Sequence, residues 1–180
     1  MGSEIIFLSI SCTIMIINSV FGDVPKCNRE MSLIENFDSM KMAGNWNIMF
    51  TGNEQKSKKS CMKTTNDAQV GKLIIEEVGF VEGKNENLII TVTQIGSTSE
   101  FVAESKEFPL SSVWVVSTDY SSYAVWFLCI NGHKQDGITF ICTRDEKPSN
   151  EVLKKAQDAL LNAELMIGED YLFPVDHSNC

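Results

Sequence analysis

Between residues 44 and 143 the chain passes through eight short stretches rich in β-branched and aromatic residues, each ended by turn-forming ones. They run from Gly44 to Thr51, Cys61 to Asn66, Gly71 to Val81, Asn87 to Ile95, Glu100 to Phe108, Ser112 to Thr118, Tyr123 to Ile130 and Gly137 to Thr143. Breaks fall at Asn66-Asp67, Glu82-Gly83-Lys84-Asn85, Gly96-Ser97, Pro109, Asp119 and Asn131-Gly132. An Asn-Gly pair between two apolar runs is a strong hairpin signal. No helical pattern separates the stretches, which excludes a parallel sheet of strand-helix-strand units and predicts an antiparallel barrel or sandwich.

One helix follows. Pro148 and Ser149 open it, and Glu151 lies in the first turn, where the helix dipole favours an acid. Val152, Ala156, Ala159, Leu160 and Ala163 recur at three- and four-residue spacing, while Lys154, Lys155 and Asp158 fall outside that stripe. Gly168 is a plausible stop, with an end one turn earlier as the alternative. A single helix has nowhere to bury its stripe except against the outside of the sheet.

Several strands are apolar on both alternations. Tyr123 to Ile130 reads Tyr, Ala, Val, Trp, Phe, Leu, Cys, Ile. That pattern suits a strand with one face on a cavity and the other under the helix. It equally suits a solid core inside and a helix outside, and the residues do not choose between the two.

The first 22 residues differ in kind. Ile5 to Val20 is apolar or small and uncharged, shorter than a membrane span, and ends in Val20-Phe21-Gly22. Despite Glu4 and the lack of Lys or Arg ahead of the apolar run, it reads as a signal peptide (residues 1–22) cut before Asp23. Residues 23–180 then form the mature domain, and losing Glu4 takes the formal charge from −9 to −8. That acidity, with only Lys56, Lys58 and Lys59 as a basic cluster, argues against a nucleic-acid partner.

Secretion gives the cysteines their meaning. Cys12 leaves with the signal, and Cys27, Cys61, Cys129, Cys142 and Cys180 enter an oxidising compartment, an odd number that leaves one unpaired. Zinc is a poor reading, since no two cysteines lie within four residues and His133 and His177 are isolated surface candidates. No Asn-x-Ser/Thr acceptor occurs.

The segment Asn36-Phe37-Asp38, followed by Ala43-Gly44-Asn45-Trp46, resembles the opening motif of lipocalins, in the branch of apolipoprotein D and the insect bilin-binding proteins. Ser117-Thr118-Asp119-Tyr120 is similar to the family's Thr-Asp-Tyr turn, and Arg144 follows the last strand as the family's arginine does. The resemblance implies an all-β fold: an eight-stranded up-and-down antiparallel barrel with one C-terminal helix packed outside. It implies structural roles for Gly44, Trp46, Thr118, Asp119 and Arg144, with the guanidinium over the indole at the barrel's narrow end. It also implies the pairings Cys27 with Cys129 and Cys61 with Cys180, leaving Cys142 as a small buried residue.

Function follows from the same resemblance. It implies a secreted carrier of a small apolar ligand, whether a bilin, retinoid, sterol, fatty acid or pheromone-like compound, with no required cofactor. With Trp46 setting the phase, the inward candidates are Trp46, Ile48, Phe50, Leu73, Ile75, Val113, Val115, Trp126, Leu128, Ile138 and Phe140. Met49 and Phe127 then face outward. Asn47 stands where this branch commonly carries a bulky residue. The strand bearing Glu76, Glu77 and Gly79 does not match the polar contacts of bilin binders, so biliverdin is one candidate among several.

Two other classes compete with the carrier. An enzyme would use Cys142 as a pocket nucleophile, yet no base or Ser-His-Asp set accompanies it, and the chain is read as a non-enzyme. An antagonist would bind a protein partner through the open-end loops, for which Gly52 to Ser60 is the candidate segment. A cell-surface receptor and a homodimer are the further partners that the resemblance allows.

Overall fold

A computed structural model describes residues 31–129, 137–165 and 171–180. The signal segment, Cys27, His133, the Asn131-Gly132 turn and Gly168 lie outside the described residues. The strands are β1 (Gly44–Thr51), β2 (Ser60–Gln69), β3 (Lys72–Val81), β4 (Lys84–Gln94) and β5 (Glu100–Glu104), then β6 (Ser111–Thr118), β7 (Tyr123–Cys129) and β8 (Gly137–Thr143). Each pairs antiparallel with the next in sequence, and β1 pairs with both β8 and β2, so the sheet closes into an eight-stranded up-and-down barrel. Closure leaves no long free edge. A two-residue strand, β9 (Phe173–Pro174), adds to β1 at Phe50 and Thr51.

The expected strand positions hold, with shifts at the ends. The fifth strand stops at Glu104 instead of reaching Phe108, and residues 105–110 cross the open end as a loop. Residues 54–57, expected to be loop, form a single helical turn, α1 (Glu54–Ser57), capped by Asn53 Oδ1 accepting from the Lys56 amide at 2.9 Å.

The C-terminal helix, α2 (Asn150–Asn162), starts where expected, because Ser149 Oγ accepts from the Val152 amide. It ends at Asn162 with Ala163 as its cap, about a turn before Gly168 as the alternative reading had it, and the Leu165 amide turns back to the Leu160 carbonyl. Ala156 and Leu160 are fully buried against Trp114, Val125, Phe127, Cys129 and Ile141 on the outside of β6, β7 and β8. No helix among the described residues is long and apolar enough to cross a membrane.

This packing explains the doubly apolar strands. On β7, Ala124, Trp126 and Leu128 belong to the interior cluster, while Val125, Phe127 and Cys129 belong to the layer under α2. One chain segment serves two cores.

The expectation that Phe50 points inward is corrected. A bulge in β1 between Ile48 and Phe50 shifts the register against β8 and reverses the alternation beyond it. Phe50 therefore packs with the outer cluster, opposite Ile141.

The C-terminal tail straps the open half. Cys61 and Cys180 form a disulfide with Cα atoms 5.5 Å apart, and the Cys61 amide donates to the Asp176 carbonyl at 2.8 Å. Cys129 is also disulfide-bonded, and its expected partner Cys27 lies outside the described residues.

Candidate functional site

The closed end is built around Trp46, which is 1% exposed. Gly44 enters β1 at φ +89°, a conformation that other residues rarely adopt, and a Cβ there would lie 3.4 Å from Arg144 Nη1. The Arg144 guanidinium sits 3.7 Å from the centre of the Trp46 ring. It donates to the carbonyls of Ala43 (2.8 Å), Asn45 (3.0 Å), Lys41 (3.0 Å) and Tyr120 (3.2 Å). Asn47 is buried and donates to the Arg144 carbonyl at 2.9 Å and the Thr143 carbonyl at 3.3 Å, tying β1 to the end of β8.

The β6–β7 turn faces this plug. Thr118 Oγ1 donates to the Tyr123 carbonyl (2.6 Å) and accepts from the Tyr120 amide (2.9 Å). Asp119 Oδ1 accepts from the amides of Ser121, Ser122 and Tyr123, and Oδ2 from the Ser122 hydroxyl. Partial burial opposes the charge on Asp119. Those donors, the Ser122 hydroxyl foremost, outweigh it and hold the carboxyl below its ordinary range.

Above the plug the interior divides. Trp46, Leu73 and Val115 are packed solid with Met42 and Phe101 in the closed half. Toward the open end a cavity of about 70 Å³ remains. Of the inward candidates, Ile48, Ile75, Val113, Trp126, Leu128 and Phe140 line it. Trp46, Leu73 and Val115 do not, being core beneath it, and Phe50 lies outside the barrel. Ile138 is buried opposite Leu128 without reaching the cavity.

The remaining wall comes from Cys142 and from residues outside the set of inward candidates: Thr64, Asn66, Glu77, Ile90, Val92 and Phe108. Ile90 and Val92 alternate with Thr91 and Thr93, a signal present in the sequence. Thr64 and Asn66 sit on β2, whose polar residues show no apolar phase. Only their pairing with Trp46 and Gly44 reveals that they face inward.

Two wall features carry charge or reactivity. Glu77 is 5% exposed, and its carboxylate accepts from Lys56 Nζ of α1 at 2.8 and 3.2 Å. Lys56 Nζ also lies 5.4 Å from the centre of the Phe140 ring, so one side chain touches two residues of the cavity wall. Cys142 is buried and unpaired. Burial, and secondarily the Glu77 carboxylate, push its thiol up well beyond the ordinary range, which favours the protonated form over the nucleophilic thiolate.

Among the described residues no group of His, Cys, Asp and Glu is placed to hold a metal ion. His177 is half-buried, its ring Nε2 2.9 Å from the Ile48 carbonyl, so it serves the C-terminal strap.

The barrel is shared with solved structures of arthropod proteins. Insecticyanin of the tobacco hornworm Manduca sexta superposes with a TM-score of 0.67 at 15% identity, over 88% of this chain and 91% of that one. The cockroach allergen Per a 4 gives 0.66 at 18% identity, covering 87% and 98%. Lobster apocrustacyanin A1 gives 0.66 at 16% identity, covering 79% and 81%. At such identities the likeness is one of fold. No curated protein matches by sequence. The profile of the lipocalin / cytosolic fatty-acid binding protein family matches residues 43–178, from the entry to β1 through the C-terminal strap. The chain therefore belongs to the lipocalin / cytosolic fatty-acid binding protein family.

Proposed function

We propose that this chain is a secreted carrier that holds a compact apolar molecule inside its barrel. The observation that carries this reading is the cavity above the Trp46–Arg144 plug, walled mostly by aliphatic and aromatic side chains. Transfer of apolar surface from water into such a space is favourable by about 25 cal/mol per Å². Membership of the family supports the same reading, and the Cys61–Cys180 disulfide suits the oxidising compartment to which a signal peptide over residues 1–22 would deliver the domain.

Size favours a compact ligand. The cavity of about 70 Å³ is below the 300–1,000 Å³ typical of sites for drug-sized molecules. A bilin or retinoid would enter only if Phe108 and Phe140 moved aside. The antagonist reading gains nothing from Gly52 to Ser60, because Lys56 pairs with Glu77, Lys59 with Glu86, and Lys58 donates to Gln55.

A fluorescence titration tests the carrier. Trp126 lines the cavity, so a small apolar ligand should quench its emission saturably, and Trp126→Phe should remove that response while leaving Trp46 and Trp114 emission unchanged. Native mass spectrometry of protein purified from its source should show a bound small molecule. Absence of both quenching and bound mass, with retinol and biliverdin included among the probes, would sink the proposal.

A further inference from the structure

We infer that Asn66 determines ligand specificity: the molecule held in the cavity donates a hydrogen bond, from a hydroxyl or N–H group, to Asn66 Oδ1. This rests on the carrier reading above and narrows it to a class of ligand.

Asn66 is 4% exposed and lines the cavity on its closed-end side. Its Nδ2 donates to the Met42 carbonyl at 3.0 Å, and that oxygen also accepts from Trp46 Nε1 at 3.0 Å. A carbonyl oxygen accepts and never donates, so the amide cannot be turned over without setting Oδ1 against another oxygen. The orientation is fixed by chemistry, and Oδ1 is left fully buried with no partner. Buried polar atoms are almost always paired, and an orphan acceptor on a cavity wall is a place where a donor recovers lost hydrogen-bond energy.

The other polar wall groups sharpen the class. The Glu77 carboxylate already accepts two bonds from Lys56. An ether or hydrocarbon brings no donor and leaves Oδ1 orphaned. An ionised carboxylate likewise brings only acceptors and leaves Oδ1 unpaired. A compact apolar alcohol or N–H compound both fits the apolar walls and supplies the donor.

The test is a matched pair, 1-octanol and 1-methoxyheptane, which have the same heavy atoms and differ in the donor. Calorimetric titration of the intact protein should show octanol bound about 5–10-fold more tightly, the worth of one neutral hydrogen bond. Asn66→Val should bring the two affinities to within roughly twofold, mainly by weakening octanol. Should that variant not fold, the wild-type side-chain amide resonance of Asn66 decides: octanol should shift it downfield and methoxyheptane should not. Equal wild-type affinities without that shift, or an octanol preference that survives Asn66→Val, would overturn the inference and leave the carrier reading standing. If neither compound binds, this inference fails, and the carrier reading is decided separately by the Trp126 quenching and native mass measurements.

Discussion

At the closed end Arg144 combines two interactions that one residue type alone supplies. Its planar guanidinium covers an indole face while its N–H groups reach four backbone carbonyls. Lysine, a point charge with three donors, cannot reproduce that set. Arg144→Met should lower stability by about 2–3 kcal/mol in urea unfolding, and Arg144→Lys should recover less than half of the loss.

Asp119 makes a pH prediction at the same scale. Its folded carboxyl titrates below the unfolded value, so its contribution is fully present above the ordinary carboxylate range near pH 4 and is lost as pH falls through the depressed folded value. Asp119→Asn keeps an acceptor but removes the titration. Thermal unfolding should show wild type ahead of D119N at pH 6–7, with the gap shrinking steadily below about pH 4.

At the scale of elements, the C-terminal strap turns on β9 and one disulfide. The bridge closes a separation of 119 residues, and the tail also hydrogen-bonds to Met49 and Cys61. Cys180→Ser should cost about 3–5 kcal/mol by chemical denaturation, with earlier hydrogen exchange confined to the tail and the start of β2.

The elements themselves are largely legible in the amino-acid pattern. Turn residues mark most strand ends, and Ser149 with Glu151 marks the start of α2. The helix end is legible only to within a turn, because burial of Leu160 and the backward turn of Leu165 decide it rather than a glycine. Simple alternation misplaces Phe50 for a similar reason: a bulge is set by how β1 must bend to meet β8, and no residue in β1 announces it.

At the scale of the molecule, the cavity is what remains when a packed plug fills one half of the barrel and Phe108 and Phe140 crowd the other. Phe140→Ala should enlarge it, admitting retinol-sized probes that wild type excludes, at a stability cost of about 3–4 kcal/mol. Saturable retinol quenching in F140A and not in wild type checks this. Equal binding by both would mean that Phe140 does not limit the size of the ligand.

Sequence by itself determined the strands and the outer helix, because each rests on local chemistry: turn formers, a helix cap, an apolar stripe; the closed-end residues were legible only through the resemblance to lipocalins. It left a filled core and a lined cavity equally open, since β7 is apolar on both faces whichever is true. Only the tertiary structure decided that both are present, and which walls the space has. Thr64, Asn66 and Glu77 face inward because β1, β2 and β3 meet in a particular register. That register is a property of paired strands, which no single strand carries.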